Sequence, residues 1–252
     1  MEYTPILRGR WDSREEFLRR ALVLSGGGMF GAWQAGAWAA LAGRVPFDLV
    51  VGASVGALNG YAIACDVSPA ELRRMWLDPN FTRLHGLPET VPALIERARP
   101  VTEFALTVTD LLRLKPRVFR DGQIRAEHLI ASCAIPLILP QVRIEGRLYS
   151  DGGLLNPLPV WAAVELGATH ILALNALPRI PSPWLRPLVS VFRAVAGYHP
   201  PAPPDVAVQI IRPPRDLGTM REALSWDRQR IESWLDQGEA DVGRAILPAA
   251  GF

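Results

Sequence analysis

Two short apolar runs, each closed by a glycine-rich turn and followed by a helical stretch, constrain this chain more than any other feature. Leu22-Val23-Leu24 runs into Ser25-Gly26-Gly27-Gly28, and Gly31 to Leu41 then reads as an apolar helix ending near Gly43. Phe47-Asp48-Leu49-Val50-Val51 is a second buried strand, and beyond the turn Gly52-Ala53-Ser54-Val55-Gly56 a helix runs through Cys65. Two strand–helix units in succession predict parallel strands joined by right-handed crossovers. The segment from Ser68 to Pro100 reads as helix and loop, and Glu103 to Thr109 as a strand rich in β-branched residues. Gln141–Ile144 and Arg147–Tyr149 then form a hairpin across Glu145-Gly146, whose second arm delivers Ser150-Asp151-Gly152-Gly153. A helix from Pro159 to Leu166 and a strand from His170 to Leu174 resume the alternation. Ala207–Ile211 fits an edge strand, and Trp226–Ile246 a closing amphipathic helix.

The 252 residues suit one large α/β domain, with the motif-bearing core at about 20–175 and 176–252 as a C-terminal extension packed on it. Hydrophobic residues make up 49% and charged residues 21%, a balance that excludes a disordered chain. The formal net charge of +2 is too small for a nucleic-acid footprint. Cys65 and Cys133 both lie in apolar helix-like sequence, which argues against a disulfide framework and for a reducing, cytoplasmic setting. Met1–Arg20 lacks the apolar run of a secretory signal, and no apolar stretch reaches the ~20 residues of a membrane span. The segment Trp184–Ala196 spaces Leu185, Leu188, Val189, Phe192 and Val195 helically beside Arg186 and Arg193. It fits either an interfacial helix making peripheral contact with an anionic membrane or a helix packed on the sheet. The oligomeric state is open.

Gly52-Ala53-Ser54-Val55-Gly56 matches G-x-S-x-G, in which small flanking residues let a strand turn sharply into a helix and present the serine hydroxyl. A serine nucleophile needs an adjacent base, and attack on an acyl carbonyl needs backbone N–H donors for the oxyanion. Gly26-Gly27-Gly28 offers such donors at the end of the preceding strand, so adjacent parallel strands would set the two turns side by side. Gly26, Gly28 and Gly31 also spell G-x-G-x-x-G. A dinucleotide site needs an acid near the end of the second strand, however, and Asp48 comes too early, so no nucleotide is expected.

In these motifs the chain resembles the patatin-like phospholipase family. Ser25-Gly26-Gly27-Gly28-Met29-Phe30-Gly31 is similar to the family's glycine-rich loop, Gly52–Gly56 to its nucleophile elbow, and Asp151-Gly152-Gly153 to its D-G-[GA] motif. Ala131-Ser132-Cys133-Ala134-Ile135-Pro136 is similar to the segment between them. The resemblance covers about residues 20–175, and the motifs occur in the family's order. It implies a three-layer α/β/α sandwich with a mostly parallel central sheet and hydrolysis of acyl esters from lipids without metal or cofactor. It further implies a Ser54–Asp151 dyad, an oxyanion loop at Gly26, Gly27 and Gly28, and supporting glycines at Gly31, Gly52, Gly56, Gly152 and Gly153. The chain departs from the family at Phe30, where Arg or Lys is usual, which removes a charge from the loop.

Two other readings stay open at the level of sequence. One is a Ser–Asp–His triad using His170 or His199, although His170 begins its strand, at the end of a parallel sheet opposite the ligand side. His85 and His128 precede Asp151 and read as surface or packing residues. The other is a patatin-shaped module that binds lipid or a protein partner without turnover. Trp33, Trp38 and Trp161 read as core residues.

Overall fold

A computed structural model describes residues 18–82, 86–178 and 202–246. The central strands are β1 (Arg20–Leu24), β2 (Leu49–Ala53), β3 (Glu103–Asp110), β7 (His170–Leu174) and β8 (Ala207–Ile211), all parallel in the order β3-β2-β1-β7-β8. Beyond β2 the sheet turns antiparallel: β4 (Lys115–Arg120) takes the other edge of β3, while β6 (Arg147–Asp151), with β5 (Val142–Ile144) beside it, pairs with the end of β3 that β2 does not reach. The result is a mixed, mostly parallel sheet flanked by helices. β8 is an edge strand and β1 and β2 are neighbours, as the sequence predicts. β4 has no clear signal in the sequence, because Pro116 and three cations interrupt its apolar alternation.

The pleat divides the sheet residues between two cores. Leu22, Leu24, Val50, Phe104, Leu106, Leu172 and Leu174 face the larger one. That core is closed by α1 (Gly31–Leu41), α2 (Val55–Ala64), α3 (Pro69–Leu77), α5 (Leu87–Arg97) and α6 (Ala126–Ser132), with α4 (Pro79–Thr82) between α3 and α5. Ala21, Val23, Leu49, Val51, Ala105, Ile171 and Ala173 face the opposite side, where α7 (Val160–Glu165) brings Trp161 and Ala162 against them. α1 and α2 are apolar all round because each lies between the sheet and another layer. Trp33 is fully buried and Trp161 nearly so, whereas Trp38 is only half-buried and packs on Phe47.

Two further helices, α8 (Met220–Leu224) and α9 (Arg228–Ile246), complete the larger layer. The closing helix thus begins two residues later than the sequence suggests, and α8 precedes it. α9 crosses α1 backbone to backbone: a Cβ on Gly36 would stand 1.9 Å from the Leu235 carbonyl oxygen, and one on Gly238 1.9 Å from that of Trp33. The Trp33 indole N–H donates to the buried Asp241 carboxylate at 2.9 Å, and Phe30 meets Trp234 edge to face at 5.1 Å. Residues 1–17 and the Trp184–Ala196 segment lie outside the described residues, as do His85 and His199. No helix among the described residues is long and apolar enough to cross a membrane.

Alanine is a better helix former than glycine by about 1 kcal/mol, but overpacking against backbone costs about 1–3 kcal/mol and no side chain is free to yield at this crossing. Gly36→Ala and Gly238→Ala should therefore each lower stability, by roughly 1–2 kcal/mol, despite the gain in propensity. Urea denaturation midpoints at unchanged m-value check this.

Candidate active site

β4 lies along β3 over residues 105–110, so β2, paired at 103–107, and β6, paired at 108–110, must share the other edge of β3 end to end. β2 finishes with Ala53 opposite Thr107, and β6 arrives from the opposite direction and finishes with Asp151 opposite Val108. Ser54 follows Ala53 directly. Two residues 97 positions apart in sequence are thereby set against each other by adjacent positions of a third strand.

Ser54 takes φ 55° and ψ −130°, a conformation costing about 1–3 kcal/mol for a non-glycine residue, and α2 begins at the next position. The flanking glycines make room for so sharp a turn. A Cβ on Gly52 would stand 2.2 Å from the Gly56 carbonyl oxygen, and one on Gly56 2.4 Å from that of Leu24. The Gly152 turn is equally tight, with Thr107 oxygen 2.0 Å from where a Cβ would lie.

Ser132 joins these pieces. Its hydroxyl accepts from the Ser54 amide at 2.9 Å and donates to the Thr107 carbonyl at 2.8 Å, while its own carbonyl accepts from the Gly152 amide at 3.1 Å. Two residues on, the Ala134 carbonyl accepts from the Asp151 amide at 3.0 Å and from the Ser150 hydroxyl at 3.0 Å. The sequence pattern marks this segment but gives no role for Ser132, because its partners come from β2, β3 and the turn after β6.

Asp151 is buried. Its Oδ1 accepts from the Gly153 amide at 2.7 Å, and Oδ2 is buried without a hydrogen-bond partner of full geometry. Burial raises the Asp151 pKa to about 6, and the Ser54 hydroxyl, within reach of the carboxyl, and the Gly153 amide each pull it partly back. The carboxyl is therefore ionised at neutral pH and more basic than an exposed aspartate.

The glycine loop stands opposite. A Cβ on Gly26 would lie 3.3 Å from Ser54 Cβ, so the two turns are in contact. The Gly26 amide donates to the Pro157 carbonyl at 2.8 Å, which removes it as an oxyanion donor and leaves Gly26 as the residue that admits close approach. The Gly27 and Gly28 amides, where a single 3-10 turn (Gly28–Phe30) leads into α1, donate to no acceptor among the described residues. Beneath the loop Gln34 donates to the Ser25 carbonyl at 2.7 Å and Asn59 donates to Gln34 at 3.1 Å, while Trp76 donates to Asn59 at 2.8 Å. Gly31 fits under the loop because a side chain would strike Val55 and Trp76. Phe30 points into the core against Trp234, so the position at which the family carries a cation is a packing site here.

Ser54, Asp151 and the three loop glycines line one cavity of about 180 Å³, walled by Ile135, Pro136, Leu154, Leu177, Met220 and Leu224. Asp151 is the only ionisable side chain among its lining residues. The contribution of α8 is visible in sequence only as a capping pattern, Thr219-Met-Arg-Glu222, in which Thr219 and Glu222 satisfy each other's backbone amides. His128 is remote in function: its Nδ1 accepts from the Arg125 amide and its ring packs on Phe119. His170 lies at the amino end of β7, paired with Arg20.

Two stability effects follow from this geometry. Ser132→Ala leaves the buried Ser54 amide unsatisfied and should cost about 1–3 kcal/mol, measurable by chemical denaturation. The folded-state pKa of Asp151 lies above that of a free aspartate, so the folded state binds more protons between about pH 4 and 6, and this carboxyl lowers stability as pH rises through that window. Asp151→Asn should then be more stable than the parent at pH 8, by at most about 3 kcal/mol, with the gap closing towards pH 4.

Comparison with known proteins places the chain. The profile described as patatin-like phospholipase matches residues 22–115 and 78–164. The chain is 27% identical over 217 residues to patatin-like phospholipase domain-containing protein 7 of Mus musculus, covering 69% of this chain but 15% of that protein. It is 30% identical over 205 residues to an uncharacterized NTE family protein of Mycobacterium tuberculosis, covering 68% of this chain and 56% of that one. The chain thus spans well under two thirds of these relatives. In fold it is similar to VipD from Legionella pneumophila, with a TM-score of 0.57 at 12% identity over 92% of this chain and 67% of that one. With the matched regions extending from residue 22 to 164, the chain belongs to the patatin-like phospholipase family.

Proposed function

We propose that this chain hydrolyses acyl esters of lipids, with Ser54 as nucleophile, Asp151 as base and the Gly27 and Gly28 amides as oxyanion donors. The observation that carries the reading is the meeting of Ser54 and Asp151 on one edge of β3, inside an apolar cavity where Asp151 is the only ionisable lining residue. Asp151 takes the Ser54 proton as Oγ attacks the acyl carbonyl, and the negative charge on the carbonyl oxygen meets the two loop amides at the start of α1. On collapse the proton passes from Asp151 to the departing alcohol oxygen, leaving an acyl group on Ser54. Asp151 then deprotonates a water that attacks this ester, and the fatty acid leaves with Ser54 reprotonated. A carboxyl with a pKa of about 6 suits this shuttle better than one near 4, because base strength and ionised fraction at neutral pH are both favourable. The walls of Ile135, Leu154, Leu177, Met220 and Leu224 offer the acyl chain an apolar receptor.

The triad reading loses ground on placement. Of the histidines among the described residues, His128 is held by Arg125 and Phe119, and His170 sits at the opposite end of the sheet. Binding without turnover would leave the raised basicity of Asp151 without a use.

A fluorophosphonate probe should label the parent protein and fail on Ser54→Ala. Asp151→Asn should lower hydrolysis of a fluorogenic acyl ester by ~10²–10⁴ in folded protein, whereas replacing His85, His128, His170 and His199 by Gln should leave most of it. For the parent, kcat/KM should fall about tenfold per pH unit below about pH 6, where Asp151 becomes protonated. Near-parental turnover in Asp151→Asn, or its loss in a single folded His→Gln variant, would return the triad to favour.

A further inference from the structure

The turn between β3 and β4, just past the carboxyl end of β3, and the loop after α6 each carry an exposed leucine. Leu112, at the turn's tip, is 85% exposed, and Leu137, next to the cavity residues Ile135 and Pro136, is fully exposed with φ 69°. An aliphatic side chain in the left-handed region is rare, and nothing in the described structure packs on either leucine. Both segments are held in place. Asp110 Oδ1 accepts from the Leu112 and Arg113 amides at 3.1 Å each, and the Leu111 amide donates to the Leu148 carbonyl at 3.1 Å. Behind Leu137 the Gln141 side chain donates to the Leu139 and Ala134 carbonyls.

Along the turn and β4 themselves the charge has one sign, and the nearest exposed acid in a neighbouring turn is Glu145 of the β5–β6 hairpin. From Leu111 to Arg120 the sequence is LLRLKPRVFR, four cations with no acid, and the preceding Asp110 is buried beneath the turn. Arg113 and Lys115 are exposed and form no ion pair among the described residues. Lys115 is the chain's only lysine. Arg117 donates to the Tyr149 hydroxyl at 2.7 Å and stacks on Phe119, so the base of the turn is fixed while its tip stays open.

The geometry points to an anionic lipid surface as the occupant of this face, with Leu112 and Leu137 inserted among the acyl chains and Arg113 and Lys115 on the phosphates. Exposed leucines beside unpaired cations fit a bilayer interface, where apolar burial and attraction to anionic headgroups act together. Leu112 lies four residues past Val108, the partner of Asp151, and Leu137 adjoins the cavity wall, so this seating turns the Ser54 cavity towards the membrane. The inference extends the proposed lipid-ester hydrolysis but does not depend on turnover.

The test is co-sedimentation of the full chain with vesicles of phosphatidylcholine alone or mixed with phosphatidylglycerol, alongside hydrolysis of a short water-soluble ester. Arg113→Gln with Lys115→Gln should weaken binding to the anionic vesicles by roughly tenfold to thirtyfold and leave the weak binding to neutral vesicles unchanged. Leu112→Ser with Leu137→Ser should weaken binding to both by tenfold or more. All variants should keep their circular dichroism and soluble-ester turnover within about twofold. Anionic vesicles should also protect Lys115 from acetylation, read by mass spectrometry with an exposed arginine-free peptide amine as standard. Unchanged binding in both folded variants, or equal Lys115 labelling with and without vesicles, overturns the proposal. So does loss of self-association in the leucine variant without lipid, which would make the face an interface between copies. If vesicle binding behaves as expected while soluble-ester turnover is absent throughout, the hydrolase reading fails and the docking surface stands.

Discussion

Thr107 and Val108 are consecutive residues on one edge of β3, and the strands that pair with them approach from opposite directions. Everything chemically interesting in the molecule depends on that collision. A parallel strand must end in a turn that carries the chain away, and an antiparallel strand arriving on the same edge must stop where the first one ends. Hydrogen bonding leaves space for one residue from each, Ser54 and Asp151, and Ser132 fills the gap between their backbones with a hydroxyl that accepts on one side and donates on the other. A junction of strand ends would ordinarily leave buried amides without partners, and here the unpaired groups of β2, β3 and the Gly152 turn are satisfied by one serine.

The same junction explains the electrostatics. Strand ends packed this closely admit little water, and Asp151 is left with one oxygen on the Gly153 amide and the other near Ser54 only. Its basicity comes from burial, with no neighbouring anion needed. The glycine loop is stiffened from below by Gln34, Asn59 and Trp76 and from the side by α8, whose Ala223 carbonyl closes against Gly28.

Much of this was legible in the residues. Leu22–Leu24 and Phe47–Val51 announced adjacent parallel strands, and the glycines at 52 and 56 announced a turn too tight for a side chain. Glu145-Gly146, both in the left-handed region, announced the hairpin that delivers Asp151. What stayed hidden was decided by partners distant in sequence. Gly26 looks like its two neighbours until Pro157 claims its amide, and Phe30 looks like a lost charge until Trp234 appears beside it. β4 hides because Arg117, Arg120 and Pro116 obscure a pattern that pairing with β3 makes acceptable.

The ladder joining β3 to β6 is only three residue pairs long, and side chains along a strand alternate between the two faces. Slippage by one position would bring Ser150 or Gly152 opposite Val108 and turn the Asp151 carboxylate to the wrong side of the sheet. The 97-residue interval between Ser54 and Asp151 is therefore two kinds of sequence. Length can change freely at connections outside the hairpin, but not within the Glu145-Gly146 turn, where a single inserted residue would shift the phase of everything after it. Across relatives of this chain, length variation between the elbow and the Asp-Gly-Gly motif should therefore fall outside the hairpin, with the reading frame of its second arm held fixed.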